Sequence, residues 1–161
     1  DVIADWDMLQ GGWAKLALIL SALERGYKYV VWVDADSIIS DMDADLRRGC
    51  PYGIGMVVHH SPNAHFNVGN IYITNSESVR KFIYEWIAWY PGPQSWHEQA
   101  VLHLLAQVPA YKGIVQKVDN KWNSCRKGNS HIDNAVVEGF HGEGTPERRL
   151  KLMTKYLKAL K

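Results

Sequence analysis

Only two cysteines, Cys50 and Cys125, occur in the chain. They build no disulfide framework, and no Cys-x-x-Cys pair is present to hold a metal. A single bridge between them depends on Cα spacing and is not readable from sequence. Long apolar runs are missing too: no stretch approaches the roughly 20 residues that a helix needs to cross a bilayer. No secretory leader pattern is present. The chain starts at Asp1 rather than Met, so that absence carries no statement about location. Charge of one sign is also lacking, with 18 Lys and Arg against 17 Asp and Glu and a formal net charge of +1. This balance leaves no electrostatic footprint for bulk nucleic-acid binding. Repeats, low-complexity segments and linkers are absent, and 161 residues suffice for one domain with a real core. What the chain does have is aromatic residues, with seven Trp and eight Tyr. Such side chains fill cores and also stack on sugar and base faces.

The stretch that organises the rest is Tyr29-Val30-Val31-Trp32-Val33-Asp34-Ala35-Asp36. A short apolar run rich in Val and aromatics reads as a buried strand. Buried strands do not hold unpaired carboxylates, so Asp34 and Asp36 belong where the strand emerges. In open α/β sheets that edge is where ligands bind. Residues two apart on a strand share a face, so the two carboxylates can converge on one divalent cation. Hard cations such as Mg²⁺ and Mn²⁺ favour oxygen sites of this kind. An Asp-x-Asp triplet also caps ordinary turns, so the triplet by itself leaves both readings open.

Around it the elements follow from periodicity and capping. Trp13, Leu16, Ala17, Leu20 and Leu23 recur at helical spacing and predict a helix over Trp13–Arg25, stopped by Gly26. Lys15 lies off that stripe and reads by default as a solvated lysine. The run Asp41, Asp43, Asp45 lacks the Gly and Glu of an EF-hand loop and reads as a solvated turn with a short helix. Ile54 to His59 predicts a second strand, and at most one of His59 and His60 can point into a site. Phe66-Asn67-Val68-Gly69-Asn70 leads into a third strand. Gly69 there signals a close backbone approach or a special dihedral. Asn67 and Asn70 read as turn formers or as partners for a polyhydroxylated ligand. Asn75 or Ser76 caps a helix with Val79, Phe82, Ile83, Trp86, Ile87 and Tyr90 on its apolar face. Another helix opens at Trp96-His97-Glu98-Gln99, where Glu98 fits an ordinary first-turn acid. Short strands are predicted near Val115–Val118 and Ala135–Phe140, with Lys121-Trp122-Asn123 as an aromatic–polar turn between them. Thr145 and Pro146 start a last helix whose other positions are mostly Lys and Arg. That basic face is solvated, or meets an anionic ligand or a membrane surface.

Taken in order, these pieces resemble one family. Trp13-Ala14-Lys15, Val31-Trp32-Val33-Asp34-Ala35-Asp36, Phe66-Asn67-Val68-Gly69-Asn70, Glu98-Gln99, Lys121-Trp122-Asn123 and His141-Gly142-Glu143-Gly144 are similar to the motif series of glycosyltransferases with the nucleotide-sugar-binding A-type fold. The nearest resemblance is to the metal-dependent retaining galactosyl- and xylosyltransferases, over nearly the whole chain. It implies a three-layer α/β/α sandwich with a mostly parallel central sheet, Rossmann-like, with helices on both faces. It also implies one catalytic domain over residues 1–161 that lacks the family's opening strand–helix–strand unit, since one helix and one strand precede Asp34.

The resemblance further implies transfer of a hexose or pentose from a UDP- or GDP-sugar to a glycan or other hydroxyl acceptor, with retention. Nucleic acid is not an implied partner, and no transmembrane segment is expected. Asp34, Asp36 and His141 would hold Mn²⁺ or Mg²⁺, which suits a His with two carboxylates. Lys15, Asp34, Asp36, Asn67, Gly69 and Gly144 would bind the donor. Glu98 and Gln99 would lie beside the reacting carbon, and Asn123 would shape the acceptor side. Where the family carries a phosphate-binding Lys after its His-x-x-Gly pattern, this chain reads Thr145-Pro146-Glu147-Arg148-Arg149. Arg148 or Arg149 is the substitute, with a different contact geometry. Two alternatives stay open: a non-catalytic nucleotide- or carbohydrate-binding module, and a haloacid-dehalogenase-like phosphatase. The latter needs a Gly-Asp element that the chain lacks.

Overall fold

A computed structural model describes residues 11–60, 64–91, 97–125 and 130–160. The chain runs α1 (Gly12–Glu24), β1 (Tyr29–Val33), β2 (Ser37–Ile39), β3 (Ile54–Met56), β4 (Val58–His59), β5 (His65–Phe66) and β6 (Asn70–Thr74). It continues with α2 (Glu77–Ala88), α3 (His97–Leu105), β7 (Val115–Lys117), β8 (Val137–Gly139) and α4 (Pro146–Ala159). Short 3-10 turns cover Leu46–Gly49, Pro109–Tyr111 and Asn120–Trp122. The caps behave as their chemistry requires. The Ser76 side chain accepts from Val79 N at 3.2 Å and opens α2. Thr145 accepts from Arg148 N at 3.4 Å and opens α4, with Pro146 at the position where a missing N–H is harmless.

The main sheet has four strands in the order β1-β6-β3-β7. β1 and β3 both run antiparallel to β6, and only β3 with β7 is parallel. The expected mostly parallel sheet is therefore corrected to a mixed one, antiparallel in two of its three pairings. The reason lies in the connections. A parallel pair needs a long crossover, and α2 and α3 supply one between β3 and β7. Between β1 and β6 no α-helix intervenes among the described residues, only short strands and turns, so the chain returns in the opposite direction. The expected strand over Ile54–His59 also divides. Its first half joins the main sheet as β3, and its second half pairs with β5 in a separate ribbon as β4.

The layers differ from expectation as well. Leu16, Leu20 and Leu23 of α1, Phe82 and Trp86 of α2, and Leu102 and Leu105 of α3 pack with Ile54, Met56, Ile71 and Ile73 on one sheet face. On the other face Tyr72 and Val57 meet Trp122, Val136 and Val137, with Val31, Val33 and Ile39 against them. Helices thus cover one face, and the second face is closed by the β2–β8 ribbon and 3-10 turns. The expectation of helices on both faces is not met among the described residues. Asp41–Asp45 forms turns and not a helix long enough to cover a sheet. α4, which carries no buried residue, lies outside both clusters.

Candidate active site

The site is built where β1 ends. The backbone N of Asp34 donates to Gly69 O at 2.9 Å, and Ser37 N donates to Asp34 O at 2.9 Å, so Asp34-Ala35-Asp36-Ser37 is a turn from β1 into β2. β2 pairs with β8 in the register Ser37↔Gly139. That pairing continues one step further, with Phe140 N donating to Asp36 O at 2.8 Å. The register thereby delivers His141 to the two carboxylates. The space is tight because two glycines line it. A Cβ at Gly69 would fall 2.9 Å from Asn67 Oδ1, 3.4 Å from Asp34 Oδ2 and 3.8 Å from His141 Nδ1. A Cβ at Gly139 would fall 2.6 Å from His141 Cε1 and 2.8 Å from Asn123 Oδ1. Gly69 is therefore used for close approach, one of the two readings its sequence context allowed.

Both carboxylates carry cationic partners. Asp34 Oδ1 accepts from Lys15 Nζ at 3.1 Å and from Trp32 Nε1 at 2.6 Å. Arg149 Nη1 donates to Asp36 Oδ2 at 2.5 Å across 113 positions of sequence. Lys15 is buried, not solvated, which corrects the default reading. α1 packs on β1 and also on α3, so its second flank is covered and Lys15 lies inside. Between α1 and α4 a cleft of about 590 Å³ opens onto these groups. Trp32, Asp34, Asp36, Lys15 and Arg149 line its charged end, and Leu18, Leu150 and Met153 line its apolar end. A concave site with an apolar wall and a few convergent polar groups is the usual form of a ligand pocket.

His141 has both ring nitrogens buried with no hydrogen-bond partner in the protein. Burial pushes its pKa down, against the opposing pull of Asp36 and Asp34. Burial thus favours the neutral ring, which has a lone pair to offer. His59 stacks on it with ring centroids 5.0 Å apart, and His60 is exposed. Burial, helped by the His141 ring, pushes His59 down to about 4. A lone pair on a neutral imidazole beside two carboxylates is a donor set that suits Mn²⁺ or Mg²⁺. The orphaned His141 nitrogens fit such a group, since buried polar atoms ordinarily find partners. As the side chains lie, however, no three His, Cys, Asp or Glu among the described residues form a metal-holding group. The carboxylate oxygens are turned to Lys15 and Arg149 instead.

The remaining expected residues divide. Asn67 and Asn123 are together: Asn67 Oδ1 accepts from Asn123 Nδ2 at 2.7 Å and from Gly69 N at 2.9 Å. Asn123 is fully buried, and its own Oδ1 has no partner in the protein. Glu98 is buried and lies 3.5 Å from Lys15 Nζ through Oε1. Trp86 Nε1 donates to Glu98 O at 2.7 Å and seats the start of α3. Gln99 is half-buried one residue on. Gly144 adopts φ 88°, in the region that favours glycine, in the turn that opens α4. Of the two arginines, Arg149 faces the cleft and Arg148 is exposed. Trp32 and Gly139 are site neighbours that sequence reading did not single out for these contacts, whereas of the His59–His60 pair it is His59 that lies at the site, stacked on His141. Trp32 had a signal, being two residues before Asp34 on the same strand. Gly139 had none, because what crowds it arrives from Asn123 and His141.

No protein-family model matches the chain, and no curated protein matches it in sequence. Its fold is nevertheless found among solved structures. The chain is similar to a glycosyltransferase involved in glycosylation of the major capsid of PBCV-1, with a TM-score of 0.64 and 15% identity. The likeness covers 89% of this chain and 75% of that one. The chain therefore shares the fold of that glycosyltransferase. No helix among the described residues is long and apolar enough to cross a membrane.

Proposed function

We propose that this chain is a metal-dependent glycosyltransferase. It moves a hexose or pentose from a UDP- or GDP-sugar to a hydroxyl of a glycan or similar acceptor, with retention at the anomeric carbon. One observation carries the reading: His141, distant in sequence, comes to Asp34 beside Gly69, where a Cβ would fall 3.4 Å from Asp34 Oδ2 and 3.8 Å from His141 Nδ1, and Asp36 follows in the same turn with its carbonyl accepting from Phe140 N at 2.8 Å. The glycosyltransferase fold supports it. Asp34, Asp36 and His141 would hold Mn²⁺ or Mg²⁺, which when bound supplies neutralising charge for the departing nucleoside diphosphate. Arg149 has a buried Nε without a partner beside the nitrogen that grips Asp36, so its guanidinium has a donor to offer a phosphate oxygen. Gly144 keeps the turn before α4 free of a side chain on that side. Asn123 Oδ1, buried without a partner, and the Asn67 side chain bonded to the same amide would shape the sugar-binding side. Gln99 would shield the developing charge on the sugar. Glu98, whose carboxylate is committed to Lys15, would act on the same centre by its field. The phosphatase alternative requires Asp34 as a free nucleophile, and its carboxylate is held by Lys15 and Trp32.

Calorimetric titration of Mn²⁺, with and without UDP or GDP, tests the reading on the protein and on Asp36→Ala and His141→Ala. The expected result is binding that strengthens with one nucleotide and weakens by about tenfold or more in each variant. It should be accompanied by Mn²⁺-dependent turnover of a nucleotide sugar. Mn²⁺ binding that ignores both nucleotides and both substitutions removes the site. Binding without turnover of any UDP- or GDP-sugar leaves a nucleotide-binding module instead.

A further inference from the structure

Lys15 enters the proposed site as a donor-binding residue, but its surroundings point elsewhere. An ammonium has three protons. Those of Lys15 face four oxygens of the protein: Asp34 Oδ1 at 3.1 Å, Asp34 Oδ2 at 3.3 Å, Val68 O at 3.0 Å and Glu98 Oε1 at 3.5 Å. With 6% of the residue exposed, no proton is left for a phosphate. Glu98 is equally committed. A Cβ at Gly12 would fall 2.0 Å from Glu98 Oε1 and 2.3 Å from Oε2, so the carboxylate rests on the first turn of α1. There it meets both the ammonium and the positive end of the helix dipole. Three elements, α1, β1 and α3, are joined through this one cation.

We infer that Lys15 is a positioning residue and not a phosphate ligand. It is the resident counter-cation of Asp34 and Glu98: it holds the first carboxylate in place and competes with an inorganic cation for it. The competition rests on the transferase reading above, whereas the ion-pair network does not. Glu98 then serves as the second anchor of Lys15, and Gly12 is the residue that lets it come close.

Two measurements test this. The first is Mn²⁺ affinity without nucleotide. Lys15→Met removes the competitor and should tighten Mn²⁺ by about tenfold, while the factor by which UDP strengthens Mn²⁺ binding stays as in the parent. Unchanged Mn²⁺ affinity with loss of the UDP effect would make Lys15 a phosphate ligand and overturn the inference. The second is thermal unfolding in metal-free buffer of Lys15→Met, Glu98→Gln and the double variant. Lys15→Met leaves two carboxylates facing each other without their cation, and adding Glu98→Gln removes one of them. The double variant should therefore melt no lower than Lys15→Met, and should fold even where that single variant does not. Strictly additive losses, or a double variant as unfolded as the single one, would overturn the inference. If neither parent nor variants bind Mn²⁺, the transferase reading falls and the unfolding cycle alone decides the role of Lys15.

Discussion

Gly139 is a residue whose importance no sequence pattern announces. It ends β8, yet the His141 ring and the Asn123 amide close over its α-carbon. Gly139→Ala would force both to move. The expected loss is about 1–3 kcal/mol, as for other overpacked sites, read from urea unfolding. Its partner effect is displacement of His141, seen as weaker Mn²⁺ binding in calorimetry. Gly69, in contrast, was legible in part, because a glycine at a strand entrance signals either close approach or a special dihedral, and the structure shows the close approach. The cysteines belong to the same scale. Burial pushes the Cys50 thiol up to about 11, and Cys125 is buried. The thiolate is the reactive form. Both thiols should therefore react slowly with a disulfide reagent at pH 8 in the native protein and promptly once it is unfolded. Fast labelling of Cys50 in the folded state would contradict its environment.

Among the elements, α1, β1 and α2 could be read nearly to the residue. Their periodicity and caps are local, and in α2 burial follows the face that the periodicity marks; α1 also buries Lys15 off its stripe, and β1, expected as a buried strand, lies at the sheet edge with Tyr29 exposed and its other residues half-buried. α4 could be read for its start but not for its attachment. None of its residues is buried, and the ties to the body include Arg149 to Asp36 and the Tyr156 ring against Phe140, with centroids 5.6 Å apart. Elements with few buried apolar contacts open most easily. The backbone amides of α4 should exchange with deuterium well before those of α1 and α2. Arg149→Ala should hasten α4 further and leave α2 unchanged. Exchange of α4 as slow as α2 would show stronger attachment than these contacts provide. The strand Ile54–His59 illustrates the opposite limit. Its apolar run is genuine, yet β3 and β4 join different sheets, a choice made by partners distant in sequence.

At the scale of the whole molecule, one mixed sheet joins two apolar clusters. Ile71 and Ile73 of β6 face the helices, and Tyr72 between them faces Trp122, to whose carbonyl its hydroxyl donates at 2.7 Å. Damage on one face should therefore be felt on the other. Ile73→Ala should cost about 2–5 kcal/mol and shift far-UV dichroism and tryptophan fluorescence to the same new midpoint. Separate midpoints for the two probes would mean that the faces unfold independently. By itself the sequence determined where the helices and main strands lie and that two carboxylates stand at the end of β1. Those properties follow from side-chain periodicity, capping and the exclusion of free charge from a strand, all of which act over a few positions. Only the tertiary structure decided that the sheet is mixed, that helices cover one face, that Lys15 is an internal counter-cation, and that Arg149 and not Arg148 reaches Asp36. These depend on how chain segments a hundred residues apart are registered against each other. β2 with β8 and α1 with α3 pair through hydrogen bonds and packing that leave no mark on the local pattern of residues.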